Sequence, residues 1–342
     1  MPFQLFRGQG PIEQPVDLDT RLARVDRRAL QAPERYMADD ALRHAVDVAI
    51  YLRMPLLLTG EPGTGKTQLA YRVAAEFGLG DPLIFETKSS SVAQDLLYTF
   101  DALRRFSLAQ VATQTVEASQ REAALDPRRF VRYQALGLAI LRANDPAVAA
   151  RWLPADSPRD ALAPRRSVVL IDEIDKAPRD FPNDLLNEID RRRFRVAEIG
   201  DDYLAAPEDK APIVLITSNS ERQLPDAFLR RCVFHHIEAP DTERLKEIVA
   251  ARLPEFVDAP LLMRDAIKFF QDIRSEKLAL DKKPSTAELL NWLDALAGAQ
   301  ADSDKSLSAQ RAVANDYLGV LCKTDNDRVA VREHLAHWNG GA

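Results

Sequence analysis

Short apolar runs that end in polar residues alternate, over the first two-thirds of the chain, with stretches whose apolar positions recur every three or four residues. Such runs predict buried strands, and such spacing predicts helices. The predicted strands cover residues 56–58, 83–85, 168–171 and 213–217. Because helical stretches separate them, we expect a parallel sheet covered by helices on both faces, with ligands bound beyond the carboxyl ends of the strands.

The helical patterns differ in strength. One begins behind the capping candidates Asp39 and Asp40, and a second covers 68–77. Between the second and third predicted strands the pattern weakens, and helices are predicted over 107–124 and 130–143.

Strand signals vanish from residue 241, and helical patterns dominate the rest of the chain. They cover 241–253, 260–274, 285–299 and 308–338. The sequence therefore predicts three parts, which are a lead-in over 1–35, an α/β domain over 36–239 with an insertion around 89–166, and a small all-helical domain over 240–342.

Composition narrows the class of protein. The 342 residues carry a formal net charge of −6, without the basic surplus typical of nucleic-acid binding, so nucleic acid is a poor candidate partner. Cys232 and Cys322 lie far apart and fit neither a disulfide framework nor a zinc site. No apolar run approaches the roughly 18 residues of a membrane span, so we expect a cytoplasmic protein.

A glycine-rich segment lies between the first predicted strand and the second predicted helix. It matches the pattern G-x-x-x-x-G-K-[ST], and its residues are Gly60, Glu61, Pro62, Gly63, Thr64, Gly65, Lys66 and Thr67, followed by Gln68. Glycines let the backbone fold around a phosphate with its N–H groups directed inward, at the positive end of a helix. We expect Lys66 to bind the β and γ phosphates of ATP and the Thr67 hydroxyl to bind Mg²⁺.

Two adjacent carboxylates, Asp172 and Glu173, end the third predicted strand. Adjacent acids repel each other unless a cation neutralises one of them. This suits Asp172 as a direct or indirect partner of Mg²⁺ and Glu173 as the group that polarises the attacking water. The alternative, a solvated acidic strand end, is less consistent with a preceding phosphate-binding loop.

The fourth predicted strand ends in Thr217, Ser218 and Asn219. On a strand adjacent to that of Asp172, the Asn219 amide would hydrogen-bond the γ-phosphate and the attacking water. An asparagine at a strand end is equally typical of a turn, so both interpretations stay open.

These strand ends, in this order, resemble those of the AAA+ ATPases and, within them, the MoxR group. The resemblance covers roughly residues 35–300 and rests also on the segments DEIDKA (172–177) and LPDAFLRRC (224–232). The segment LLNEIDRRRFRVAEIG (185–200) is similar to the helix and hairpin that follow the acidic strand in that group. The resemblance implies a P-loop nucleotide-binding domain followed by a helical lid, assembled as a hexameric ring with ATP at each subunit boundary.

In such rings an arginine of one subunit reaches the γ-phosphate held by its neighbour. Arg231 matches that position best, and Arg230 is the near alternative. A guanidinium acting between subunits would neutralise charge that develops in the transition state.

The sequence departs from the family at the start of a lid helix, where similar proteins carry an arginine that touches the γ-phosphate. Here the stretch 282–288 reads KKPSTAE. Either Lys283 or Lys282 replaces the arginine as a point charge, or the lid senses nucleotide weakly.

The segment 89–106 stands where this group has insertions that face the central pore. Its aromatic residues Tyr98, Phe100 and Phe106 would contact a client there, although the pattern favours their packing in the core, with only Arg104 and Arg105 facing outward.

The sequence thus predicts a Mg²⁺-dependent ATPase that remodels or activates a client or adaptor protein, in the MoxR group often one with a von Willebrand factor A domain. Two alternatives remain. One is a DNA-directed AAA+ motor of a restriction, defence or replication system, and the other is a nucleotide-switched scaffold that does not hydrolyse ATP.

Overall fold

The computed structural model describes residues 32–112, 123–157, 164–299, 301–302 and 304–340. Most of the predicted lead-in and residues 113–122 of the helix predicted over 107–124 lie outside this part of the chain. The described strands are β1 (Leu56–Gly60), β2 (Leu83–Glu86), β3 (Tyr98–Phe100), β4 (Val131–Tyr133), β5 (Val168–Asp172), β6 (Arg193–Phe194), β7 (Leu204–Ala205), β8 (Ile213–Ser218) and β9 (Val233–Ile237).

The described α-helices follow the same chain order. They are α1 (Asp40–Leu52), α2 (Lys66–Glu76), α3 (Ala102–Ala112), α4 (Ala135–Ala143), α5 (Pro146–Ala149), α6 (Phe181–Arg191), α7 (Asp226–Leu229), α8 (Thr242–Arg252), α9 (Pro260–Arg274), α10 (Thr286–Gly298), α11 (Arg311–Asp316) and α12 (Asp325–His337). As predicted, α1 begins behind Asp39, whose carboxylate accepts a hydrogen bond from the N–H of Leu42.

Residue contacts divide the chain into two compact units. The sheet unit contains Ala38–Gly60 and Leu69–Ile237. The helical unit contains the described residues up to Met37, the segment Glu61–Gln68, and the chain from Glu238 onward.

The sheet unit is built on five parallel strands in the order β2-β5-β8-β1-β9. The three central strands are apolar runs buried almost throughout, as expected of strands covered on both faces, whereas β2 and β9 alternate in exposure as edge strands. The predicted parallel sheet is therefore confirmed, and the four predicted strands are β1, β2, β5 and β8.

Two short antiparallel strand pairs accompany the sheet. One pairs β6 with β7 after α6, as the resemblance implied, and the other pairs β3 with β4. The prediction of one helix over 130–143 is wrong at its start, because Val131–Tyr133 pairs with Tyr98–Phe100 and α4 begins only at Ala135. β-Branched and aromatic residues in this stretch favour a strand.

The segment 89–106 only partly packs in the core. Tyr98 is buried and Phe100 is partly buried, but Phe106 on α3 is 63% exposed, so its prediction as a core residue is wrong. Arg104 is exposed as predicted, and Arg105 is partly buried with its guanidinium on the carbonyl of Leu125.

The helical unit buries a separate core between α8, α9, α10 and α12, centred on Trp292 and Phe269. The stretch predicted near 308–338 is helical over most of its length, as predicted, but it is not one continuous helix. The stretch breaks after α11, and Thr324 caps a new helix by accepting a hydrogen bond from the N–H of Asp327.

Both cysteines are buried as free thiols, Cys232 in the sheet unit and Cys322 in the helical unit. Burial raises the pKa of Cys232 to about 12 and that of Cys322 to about 11. Both are therefore neutral thiols rather than nucleophilic thiolates at ordinary pH. Among the helices described, none combines the length and apolar character that crossing a bilayer requires.

Candidate nucleotide site

The carboxyl ends of the central strands place the predicted polar residues along one edge of the sheet. β8 lies between β5 and β1, so Asp172, Ser218 and Gly60 end three adjacent parallel strands. The prediction that the strands of Asp172 and Asn219 are neighbours is confirmed. The glycine-rich loop leaves β1 at this same edge.

A buried hydroxyl connects the two predicted carboxylate residues. Thr217 is fully buried, and its Oγ1 donates to Oδ1 of Asp172 at 2.6 Å and accepts from the backbone N–H of Glu173 at 2.8 Å. Glu173 has a left-handed backbone (φ 55°, ψ 54°), a conformation that non-glycine residues rarely adopt. The hydroxyl therefore fixes the turn that ends β5.

The carboxylate of Glu173 is held by two partners. Its Oε1 accepts from Nδ2 of Asn219 at 3.1 Å, and its Oε2 forms an ion pair with Nζ of Lys176. The hydrogen bond from Lys176 to Glu173 raises the pKa of the lysine ammonium. Asn219 is thus more than a turn residue in this structure, because its amide positions the candidate base.

A second carboxylate, Asp175, positions the segment after β8. It is 3% exposed, and its Oδ2 accepts from the N–H groups of Asn219 at 3.1 Å and Glu221 at 3.0 Å. Its Oδ1 has no hydrogen-bond partner among the described residues. Asp175 therefore holds the backbone of Asn219, whose side chain in turn holds Glu173.

The glycine-rich loop belongs to the helical unit. Gly63 and Gly65 have φ values of 76° and 89°, which other residues adopt only with strain. Lys66 is 6% exposed, and its Nζ donates to the carbonyl of Glu61 at 2.9 Å. Oγ1 of Thr64 donates to the same carbonyl at 2.8 Å.

The other residues of the loop differ in exposure. Gly65 lies against the ring of Tyr36, since a Cβ at this glycine would stand 3.2 Å from Cε2 of the tyrosine. Pro62 is exposed, whereas Thr67 and Gln68 are partly buried in the first turn of α2.

The two candidate trans-acting arginines differ in their surroundings. Nε of Arg231 forms an ion pair with Oδ2 of Asp190 on α6 at 3.0 Å, with both side chains about half exposed. Arg230 is exposed at the end of α7, and its guanidinium has no partner among the residues described.

Lys282 and Lys283, which stand where similar proteins carry an arginine, are exposed. The backbone N–H of Lys282 donates to the buried carboxylate of Asp327, which fixes the chain here. The side chains of Lys282 and Lys283 make no polar contact with the described residues.

Sequence reasoning missed three side chains that the structure ties to the predicted residues, namely Lys176, Asp190 and Arg274. Lys176 lies three positions after Glu173, a spacing that allows an ion pair in a single turn of helix. Asp190 pairs with Arg231, and Arg274 pairs with Glu61. The partners of each pair are far apart in the sequence, so a single sequence without homologues does not indicate either pairing.

The fold and these residues define a P-loop module of the AAA+ class. The family model described as "AAA domain (dynein-related subfamily)" matches residues 55–232, more than half of the chain. The chain belongs to this family. No protein of the curated set matches it significantly.

The chain is similar to chains of solved structures, among them a point mutant of RuvB from Thermotoga maritima. That match has 16% sequence identity and a TM-score of 0.44, and it covers 87% of this chain and 74% of the RuvB chain.

Proposed function

We propose that this protein is a Mg²⁺-dependent ATPase that hydrolyses ATP at the subunit boundaries of a ring and uses the cycle to remodel or activate another protein. The observation that supports hydrolysis is the carboxylate of Glu173, which Asn219 and Lys176 hold at the sheet edge where β1 leads into the glycine-rich loop. A carboxylate fixed at this edge is suited to act as general base for water.

Each group has a separate task in this proposal. Lys66 and the N–H groups of the loop bind the β and γ phosphates. Asp172 and Thr67 offer the hard oxygen donors that Mg²⁺ prefers, and the ion neutralises phosphate charge when bound. Glu173 accepts a proton from the attacking water, while Asn219 orients this water and the γ-phosphate.

The finer assignment rests on the sequence motifs. We place the chain in the MoxR group, acting in the cytoplasm as a hexamer on a protein client or adaptor, possible partners being those with a von Willebrand factor A domain. Arg231 of one subunit serves the site of the next. The net charge of −6 supports a protein partner rather than DNA.

Two substitutions test the chemistry. Lys66→Ala should abolish binding of a fluorescent ATP analogue, because the loop loses its one positively charged side chain, which is the group that binds the phosphates. Glu173→Gln should bind the analogue as well as the wild type does and release phosphate about 10²- to 10⁴-fold more slowly, since the general base is lost.

Glu221→Gln is the matched control, because this exposed glutamate donates its backbone N–H to Asp175, which the substitution keeps, and its carboxylate acts on Lys176 only through its charge, without a hydrogen bond to Glu173 or Asn219. Its phosphate release should equal that of the wild type. Normal turnover by Glu173→Gln would show that the assigned base is wrong, and binding without any turnover in the wild type would favour the nucleotide-switched scaffold.

A further inference from the structure

Arg274, the last residue of α9, contacts the glycine-rich loop from within the helical unit. One NH2 group of its guanidinium donates to Oε2 of Glu61 at 2.7 Å, and the other donates to the carbonyl of Pro284. The guanidinium carbon lies 5.5 Å from the centre of the Phe270 ring, and the side chain is only 17% exposed. Packing and two acceptors on different segments therefore fix the arginine in one position.

Glu61 connects this arginine to the phosphate-binding lysine. Its side chain accepts from Arg274, and its carbonyl accepts from both Lys66 and Thr64. A displacement of Glu61 therefore shifts the carbonyl on which the Lys66 ammonium rests.

The second acceptor of Arg274, the carbonyl of Pro284, leads to a second point of the loop. Pro284 immediately precedes Ser285, which caps α10 in a reciprocal arrangement with Glu288. Ser285 lies so close to Gly63 that a Cβ on the glycine would stand 2.5 Å from its Oγ. The start of α10 thus limits the space available to the loop at Gly63.

We infer that Arg274 is a positioning residue for the nucleotide site, which fixes the phosphate-binding loop through Glu61 and through the start of α10 beside Gly63. It acts on the loop and not on the nucleotide. The inference rests on the proposed binding of nucleotide at this loop, and Arg274 lies outside residues 55–232, which the family model matches.

This role has a specific consequence for nucleotide preference. A residue that shapes the loop affects the binding of ATP and ADP equally, because both place a β-phosphate in it. A side chain that touches the γ-phosphate affects ATP alone. The ratio of the two affinities therefore separates a positioning residue from a direct ligand.

The experiment measures dissociation constants of ATP and ADP, by competition with a fluorescent nucleotide, for Arg274→Ala, Glu61→Gln and the double variant. Each single variant should weaken both nucleotides by a similar factor of about five to ten, and the double variant should weaken them no further, because contacting residues that act as one pair are not additive. KM for ATP should rise while kcat changes less than twofold.

Arg328→Ala is the control, since Arg328 pairs with Asp325 on the surface of α12 in the same unit. It should leave both affinities unchanged. Glu61 is half exposed, so Glu61→Gln tests the pair without disturbing the core even if Arg274→Ala lowers the melting temperature.

Three results would overturn the inference: a loss confined to ATP, additive losses in the double variant, or a Glu61→Gln protein with wild-type affinities. A wild-type protein that binds neither nucleotide would remove the proposed function itself. A wild type that binds both, with pair variants that behave like Arg328→Ala, would remove only the role of Arg274.

Discussion

The hydroxyl of Thr217 hydrogen-bonds both Glu173 and Asp172 and so holds two residues of the candidate site. It accepts the N–H of Glu173, a residue whose left-handed backbone costs about 1–3 kcal/mol and persists only where its surroundings hold it. It also occupies one oxygen of Asp172. One buried side chain thus sets the orientation of both the candidate metal ligand and the candidate base.

Thr217→Val keeps the shape of this side chain and removes both hydrogen bonds. We expect the free energy of unfolding in urea to fall by about 1–3 kcal/mol, because a buried N–H loses its acceptor. Phosphate release should slow as Glu173 loses its fixed position.

Thr87→Val is the matched control. Thr87 is 6% exposed, and its Oγ1 has no hydrogen-bond partner among the described residues. Replacing it should change the unfolding free energy by less than about 1 kcal/mol, because no bond is broken. Equal effects of the two substitutions on the unfolding free energy would mean that the hydrogen bonds of Thr217 contribute nothing to stability.

At the scale of single residues, the site was only partly predictable from the sequence. Asp172, Glu173 and Asn219 follow from their positions at strand ends, since the carboxyl ends of parallel strands share an edge. The engagement of Glu61 by Arg274 was not predictable, because the two residues are more than 200 positions apart and only the packed fold brings them together.

Elements differ in how clearly the sequence specifies them. The central strands β1, β5 and β8 were predicted because each is a continuous apolar run bounded by polar residues. The antiparallel pair of β3 and β4 was not predicted, because three-residue strands are too short to show a period of two. Long-range pairing, rather than local pattern, decides such short elements.

Gly137 in α4 shows how closely that helix packs. A Cβ at this position would stand 1.9 Å from the backbone carbonyl of Leu97, which no side-chain movement relieves. Gly137→Ala should therefore destabilise the sheet unit by about 1–3 kcal/mol or more, although alanine favours helices.

Thermal or urea unfolding of this variant measures the effect. Gly319→Ala provides the comparison, because a Cβ at Gly319 meets no atom within 4 Å. Gly319→Ala should unfold like the wild type, and a Gly137→Ala protein of wild-type stability would contradict the close approach of α4 to Leu97.

At the scale of the whole molecule, the proposed function depends on Arg231 acting between neighbouring copies of the chain. Its ion pair with Asp190 holds the guanidinium on the surface of its own subunit, with the side chain about half exposed. An exposed arginine of this kind is available to a neighbouring copy, and a head-to-tail contact that closes makes a ring.

Mixing two inactive variants tests this arrangement. Arg231→Ala supplies an intact Glu173, and Glu173→Gln supplies an intact Arg231. Random mixed rings should regain phosphate release at about a quarter of the subunit boundaries, because that fraction joins the two intact groups. Failure of the mixture to exceed its separate components would show that Arg231 does not act across a boundary.

The strand order has a consequence for the newly made chain. Among the described strands, β1 pairs only with β8 and β9, so Leu56 has no neighbour in this sheet before Leu215 and Val233 have been synthesised. A nascent chain on the ribosome therefore carries this apolar strand unpaired while the chain from Leu56 to Leu215 is synthesised. Fragments that stop before residue 213 should aggregate, and shielding by a chaperone during synthesis is expected to decide the yield of intact protein.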